Sequence, residues 1–132
     1  MPSIFCKIIS REIPAHIVAE NDDYLAFLDI NPLVEGHCLV IPKTEVDYIY
    51  DLSDDVLAGL HLFAKKVALG LKKAIPCERI GMSVIGLEVP HAHVHLIPMN
   101  TMDDMNFARP KLRLSTNELA TTAATIKSAI EI

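Results

Sequence analysis

The chain has no tryptophan and only 5 % of its 132 residues are aromatic, so its hydrophobic core has to be aliphatic. It also has no excess of basic residues, because 12 Lys and Arg stand against 17 Asp and Glu, for a formal net charge of −5. Sequence-independent nucleic-acid binding draws its affinity from neutralising phosphates. We therefore expect no nucleic-acid partner, although one small basic pocket for a phosphate ligand is compatible with this charge.

Long apolar runs are absent as well. No stretch approaches the roughly 18 residues that a membrane span needs, so no membrane partner is expected. Residues 1–14 carry Lys7, Arg11 and Glu12, which is unlike a signal peptide. The three cysteines form no Cys-x-x-Cys pair, which is typical of reduced thiols in a cytoplasmic protein. The length predicts a single domain over residues 1–132.

Short apolar runs between turn-forming residues predict strands, and two segments carry helix signals. Ser53 is a candidate N-cap, acidic residues follow it, and Pro76 lies just beyond the last periodic apolar position. Ser115 and Glu118 form a capping-box pattern before an amphipathic tail. The expected strands are 14–20, 24–29, 38–41, 79–85 and 93–99, and the expected helices are 53–75 and the tail from 115. Strands paired locally, with helices between and after them, indicate an α+β domain with one antiparallel sheet.

Histidine is concentrated at one place in the chain. His91, His93 and His95 account for three of the six histidines. Independent placement would produce this i, i+2, i+4 pattern about 0.01 times in a chain of this composition. Because side chains alternate along a strand, the three imidazoles are expected on one face and Ala92 and Val94 on the other.

Three uses fit such a row of imidazoles. It could hold a metal ion, since neutral imidazole is a common Zn²⁺ ligand. It could instead perform nucleophilic and acid–base chemistry at phosphorus, with the middle imidazole attacking. Alternatively, the histidines could be buried for structural reasons. The residues alone leave all three open, and we favour chemistry at phosphorus.

The segment His-Ala-His-Val-His-Leu-Ile at 91–97 resembles the signature of the histidine-triad (HIT) family, in which each histidine is followed by an apolar residue. Further segments resemble family landmarks in the same order. These are 4–9 with 12–14, then 25–32, then 36–43. The likeness covers residues 3–99 and points to the Hint-like nucleotide hydrolase branch.

The resemblance implies a fold and a reaction. The fold would be an antiparallel sheet of about five strands with a long central helix and a C-terminal helix, commonly in a homodimer. The reaction would cleave a nucleoside 5′-phosphoramidate or dinucleoside polyphosphate at the α-phosphorus, with purine the expected base and no cofactor. His93 would attack to form a nucleotidyl-histidine, His95 would bind phosphate and assist the leaving group, and His91 and His37 would complete the catalytic set.

The resemblance also implies a binding site. Asp29 would bind the ribose hydroxyls, and the backbone of residues 86–89, including Glu88 and Val89, would bind phosphate. The apolar slot for the base would consist of Ile4, Phe5, Ile8, Phe27 and Ile30. From the residues alone, core packing explains the slot residues equally well, and a turn explains Asp29.

The chain departs from the family pattern at two places. Ser3 and Glu45 stand where many members have ligands of a structural zinc, and only Cys6 of the N-terminal pair is present, so no such metal is expected. Leu87 replaces a glutamine in a shortened loop before the triad. A catalytically weak nucleotide-binding module is therefore the first alternative function, and a His-ligated metalloenzyme is the second.

Overall fold

The structure is a computed structural model that describes residues 2–131. A five-stranded antiparallel sheet forms its centre. The strand order is β1-β2-β3-β5-β4, so β5 lies between β3 and the edge strand β4. The strands are β1 (Ile17–Glu20), β2 (Tyr24–Leu28), β3 (Cys38–Pro42), β4 (Arg79–Ser83) and β5 (Val94–Met99). With its helices the sheet makes an α+β fold, as the sequence predicts.

In the described residues three α-helices accompany the sheet, α1 (Ile4–Ile9), α2 (Asp54–Ala74) and α3 (Thr116–Ala129), together with short 3₁₀ helices at Ile49–Asp51 and Met102–Met105. Both long helices begin at the predicted serine caps, since Ser53 accepts the Val56 N–H and Ser115 accepts the Glu118 N–H. The six-residue helix α1 is not predicted by the sequence pattern, because it is too short to show a helical period.

Side chains alternate between the two faces of the sheet. From β2 and β3, Ala26 and Val40 join a large apolar cluster with α2 and α3. Their neighbours Phe27 and Leu39 join a smaller cluster with Phe5 of α1 on the opposite face. The large cluster therefore packs α2 and α3 onto the sheet, whereas the small cluster covers only part of the opposite face and leaves space there for polar side chains.

The strand that carries the histidines is shorter than expected. The ladder of β5 starts at Val94, opposite Val40, so the first two histidines precede the strand. The reason is that the Ala92 N–H donates to the Val46 carbonyl, in a loop, rather than to a neighbouring strand. The predicted alternation survives, because Ala92, Val94 and Leu96 all lie in the large cluster. The edge strand β4 likewise ends at Ser83 instead of residue 85.

Gly36 turns the chain into β3. Its φ of +91° lies in the left-handed region, and a Cβ there would come within 2.9 Å of the Ile75 side chain. This turn places His37 on the same sheet face as Leu39, two residues further on. Among residues 2–131, no helix combines the length and apolar character that crossing a membrane requires.

Candidate active site

Four histidines meet on the face of the small cluster. His37, His91, His93 and His95 are all buried. The His93 and His95 ring centroids are 5.0 Å apart, and those of His37 and His95 are 5.2 Å apart. The structure thus joins His37 to the triad, as the family resemblance predicts, although 58 residues separate it from His95.

Hydrogen bonds determine which nitrogen of His95 carries a proton. The Leu33 N–H donates to Nδ1 of His37 at 3.1 Å, so Nε2 of the neutral His37 ring is protonated. That Nε2 lies 2.9 Å from Nδ1 of His95 and donates to it. Neutral His95 consequently carries its own proton on Nε2, where it can be donated to a ligand.

The tautomer of His93 is determined in the same way. Its Nδ1 lies 2.7 Å from the His91 carbonyl oxygen, which can only accept, so this nitrogen carries the proton. In the neutral ring, Nε2 then has a free lone pair. The site therefore offers a nucleophilic nitrogen on His93 next to a proton donor on His95.

Burial keeps the flanking histidines neutral. Desolvation, with a contribution from the adjacent His95 ring, lowers the pKa of His37 to about 3. Desolvation also lowers the pKa of His95 to about 4 and shifts the pKa of His91 downward. Near neutral pH these rings are uncharged, which the tautomer assignment requires.

The His91 end of the row is held by the N-terminal segment. Nε2 of His91 lies 2.8 Å from the Pro42 carbonyl and donates to it, so Nδ1 accepts from the Ser3 hydroxyl at 2.9 Å. The Ser3 N–H donates to Glu45 at 2.6 Å. The pKa of Glu45 is lowered, chiefly by the backbone N–H of Ser3 and next by the nearby Cys6 thiol.

Many members of the family that the sequence resembles hold a structural zinc at this corner. Cys6, Glu45 and His91 bring their ligand atoms within 4.8 Å of one another. However, Nδ1 of His91 already accepts the Ser3 hydroxyl proton, with the Cys6 Sγ 3.7 Å away, and Glu45 already accepts the Ser3 N–H. An ion would have to displace these bonds, so the residues do not form a preformed zinc site. The absence of zinc stays a prediction for metal analysis.

Asp29 lies beside the histidines. One carboxylate oxygen accepts the Asn31 N–H at 2.9 Å, and the other lies 3.7 Å from Nε2 of His37. Because Nε2 already donates to His95 and His37 is neutral, this second contact is not an ion pair. Partial burial raises the pKa of Asp29 from its ordinary value. Its position suits a hydroxyl ligand next to the triad.

The predicted apolar slot divides into buried and exposed parts. Phe5, Ile8 and Phe27 are buried together, and Phe5 lies edge-on to Phe27 and to His93, with centroids 5.5 and 5.2 Å away. Ile4 and Ile30 are half or more exposed, at 50 % and 63 %. The first three are thus core residues, of which Phe5 packs directly against His93, and the other two are accessible to a ligand.

The loop before the triad exposes both backbone and side chains. Within residues 2–131, the backbone N–H groups of Leu87, Glu88 and Val89 have no hydrogen-bond acceptor, as a phosphate-binding loop requires. Leu87 is 89 % exposed, and Gly86 has a φ of +78°. The side chain of Val89 packs on the small cluster, so its predicted contribution is through the backbone.

Sequence reasoning assigned no role in this site to two of its residues, Phe107 and Ser3. Phe107 packs edge-on against His95 with centroids 4.9 Å apart, and its segment is held where Arg109 donates to the Leu33 carbonyl at 2.7 Å. Ser3 binds His91, as described above. The serine could have been found as a helix N-cap, since its hydroxyl accepts the Cys6 N–H. The sequence around Phe107 contains no comparable pattern.

Comparison with known proteins gives a consistent result. The family model described as HIT domain matches residues 10–102. Adenosine 5'-monophosphoramidase of Schizosaccharomyces pombe is 35 % identical over 134 residues, covering 99 % of this chain and 100 % of that protein. The enzyme of the same name from Saccharomyces cerevisiae is 40 % identical over 96 residues, covering 72 % of this chain and 61 % of that protein.

Solved structures agree with these sequence matches. A Hit-like protein from Bartonella henselae superposes with a TM-score of 0.84 at 32 % identity, covering 97 % of this chain and 96 % of that one. The five-stranded sheet with its long helices is therefore an arrangement that this chain shares with a solved protein.

Proposed function

This chain belongs to the HIT family, and we propose that it is a nucleotide-binding hydrolase that cleaves a nucleoside 5′-phosphoramidate or dinucleoside polyphosphate at the α-phosphorus. One observation carries the proposal: the free lone pair on Nε2 of His93 lies next to the Nε2–H of His95. Two relatives are named adenosine 5'-monophosphoramidase, which supports a hydrolase and an adenosine substrate.

In the first step, Nε2 of His93 attacks the α-phosphorus. A P–N or P–O bond to the leaving group breaks, the Nε2–H of His95 donates a hydrogen bond to the departing atom, and a solvent proton completes the departing group. This forms a nucleotidyl-histidine in which the His93 ring carries a positive charge. In the second step, a water attacks phosphorus, which breaks the bond to His93, returns the proton to solvent and releases the mononucleotide.

His37 and His91 act through their neighbours. His37 holds the tautomer of His95 through the 2.9 Å hydrogen bond, so the Nε2–H of His95 can donate a hydrogen bond to the leaving group. The His91 carbonyl holds the tautomer of His93. Both contacts preorganise the reacting nitrogens, which reduces the reorganisation needed in the transition state.

The remaining contacts would bind the nucleotide. Asp29 would accept hydrogen bonds from the ribose, and Ile4 and Ile30 would cover the base above the buried Phe5. The free N–H groups of the loop with Glu88 and Val89 would bind phosphate oxygens. Exposed apolar side chains next to buried polar groups are the usual composition of such a site.

The test is turnover of adenosine 5′-phosphoramidate. The His93→Ala variant should lose turnover while it still binds AMP in calorimetry, and wild-type protein should form a trappable phosphorus-labelled histidine. AMP binding by wild type without turnover of any nucleotide conjugate would favour the alternative of a nucleotide-binding module.

A metalloenzyme is the other alternative, since Asp29, His37 and His95 place ligand atoms within 4.8 Å of one another. The hydrogen bond between His37 and His95 would have to break to admit an ion. We therefore expect dialysis against EDTA to leave turnover unchanged. Loss of activity that Zn²⁺ restores would support the metalloenzyme instead.

The proposed assembly is a homodimer. Strand β4 is at the edge of the sheet, and the outer edge of such a strand can pair with another copy. Met82 and Val84, in and just after this strand, are exposed apolar side chains that a partner would cover. Light scattering should give twice the chain mass, and a monomer at micromolar concentration would contradict the proposal.

Two further properties stay predictions. A cytoplasmic location is supported by the three cysteines, which are all free in the described part of the chain. A single domain over residues 1–132 is supported by the sheet, whose strands come from most of the sequence. Limited proteolysis would test the second point, since one domain should be resistant throughout.

A further inference from the structure

Ser3 connects the N-terminal segment to the triad. Although polar, it is only 4 % exposed. Its hydroxyl accepts the Cys6 N–H at 3.1 Å, which caps α1, and donates to Nδ1 of His91 at 2.9 Å. Its backbone N–H donates to Glu45 at 2.6 Å. A serine that acted only as a helix cap would need the first of these three bonds alone.

The contact with His91 leads directly to the proposed nucleophile. His91 is fully buried, and its ring is held at both nitrogens, by Ser3 and by the Pro42 carbonyl. The carbonyl oxygen of His91 accepts the Nδ1–H of His93 at 2.7 Å. If the His91 ring shifts, the acceptor that sets the orientation of His93 shifts with it.

Helix α1 gives a second connection from Ser3 to His93. Phe5 lies in the first turn of α1, two residues after the cap. Its ring is edge-on to His91 and to His93, with centroids 5.9 and 5.2 Å away. Since Ser3 caps this turn and Glu45 holds its backbone, the same small unit positions the apolar support of the nucleophile.

We propose that Ser3 is a positioning residue that, together with Glu45, holds His91 and Phe5 so that Nε2 of His93 faces the phosphorus. The inference rests on the proposed role of His93 as nucleophile. It assigns to a hydroxyl and a carboxylate the task of holding His91 without a metal ion. Ser3 itself does not touch the substrate.

The main test is the steady-state kinetics of Ser3→Ala with adenosine 5′-phosphoramidate. Loss of one buried hydrogen bond should lower kcat about ten-fold with KM within about two-fold. Ser3→Thr keeps the hydroxyl and should recover most of kcat. The matched control is Ser115→Ala, which removes the equivalent cap of α3 and should leave kcat unchanged.

A readout independent of turnover is the ¹⁵N spectrum of the histidine rings. In Ser3→Ala the Nδ1 signal of His91 should shift, whereas the His37 signals should not. If Ser3→Ala does not fold, Glu45→Ala replaces it, because Glu45 is exposed and its removal leaves the hydroxyl in place. We expect about a three-fold fall in kcat for that variant.

Several outcomes would overturn the inference. These are unchanged kcat in Ser3→Ala, an effect confined to KM, equal losses in Ser3→Ala and Ser115→Ala, or loss of wild-type activity with EDTA that Zn²⁺ reverses. Failure of the proposed function is distinguishable, since it would appear as no turnover by wild type or as full turnover in His93→Ala. Full loss in His93→Ala with normal kcat in Ser3→Ala would reject only the role of Ser3.

Discussion

The two faces of the sheet differ in what they bury. Within residues 2–131, the face under α2 and α3 has a cluster of 20 buried apolar residues, and the opposite face has a cluster of six. The second face carries the four buried histidines instead. Consecutive residues of one strand serve both faces, as Val94 and His95 do.

The two faces therefore serve stability and chemistry separately. Apolar burial on the helix face stabilises the fold in proportion to the area removed from water. The histidines on the other face are held by directed hydrogen bonds, which contribute less to stability and more to orientation. Substitutions on the two faces should therefore have opposite signatures in activity and in unfolding.

The largest expected effect is the loss of activity in His93→Ala. Removing the nucleophile should lower kcat at least about 10³-fold, because no other group in the site can form the intermediate. The melting temperature should change little by comparison. The control is His61→Ala on α2, which should keep kcat within about two-fold. Comparable activity in wild type and His93→Ala would break the assignment of chemistry to this face.

The opposite signature is expected for Leu60→Ala on the helix face. Leu60 is completely buried in the large cluster, so the truncation should lower the free energy of unfolding by about 2–5 kcal/mol. The folded variant should keep kcat within about two-fold. Leu62→Ala is the control, since this residue of α2 is 63 % exposed and should change stability by less than about 0.5 kcal/mol.

Acid should destabilise the histidine face selectively. The pKa values of His37 and His95 in the folded chain, about 3 and about 4, lie below the unfolded value of ~6.5. As pH falls below ~6.5 the unfolded chain therefore binds protons first, and the free energy of unfolding decreases through pH 4 towards 3. Urea titrations between pH 7 and 4 should show a weaker pH dependence for His37→Gln. If the free energy of unfolding depended on pH equally in His37→Gln and in wild type, the result would contradict a neutral His37–His95 pair.

The smallest expected effect is that of Asp29→Asn. The amide keeps one acceptor oxygen but lacks the charge, so KM for adenosine 5′-phosphoramidate should rise about ten-fold while kcat stays within about three-fold. A 2′-deoxy substrate would sharpen the assignment, because it should lose less affinity in the variant than in wild type. Equal KM values for both proteins would remove Asp29 from the ribose site.

Much of the fold could be predicted because its signals are local. Ser53 and Ser115 mark the starts of α2 and α3, and short apolar runs beside turn-forming residues mark β2 and β3. The short helix α1 was missed, since six residues are fewer than two helical turns. The start of β5 was predicted one residue early, because the alternation continues through a loop that hydrogen-bonds to Val46.

The candidate site was predicted unevenly for a similar reason. The triad and His37 were identified from a motif and a family resemblance, and the structure brings them together. Ser3 and Phe107 lie far from the triad in sequence or outside the landmarks, so no local pattern connects them with it. Their contacts depend on where α1 and the segment after β5 pack.

The sequence pattern alone sets which side chains share a face, because the two-residue alternation of extended chain puts all three triad histidines on one side, although only His95 lies within β5. Which groups hold these histidines depends on tertiary contacts. The order β3-β5 brings His37 to His95, and the packing of α1 brings Ser3 to His91. Periodicity acts between neighbours along the chain, whereas these contacts join residues 58 and 88 positions apart and form only when the sheet and α1 assemble.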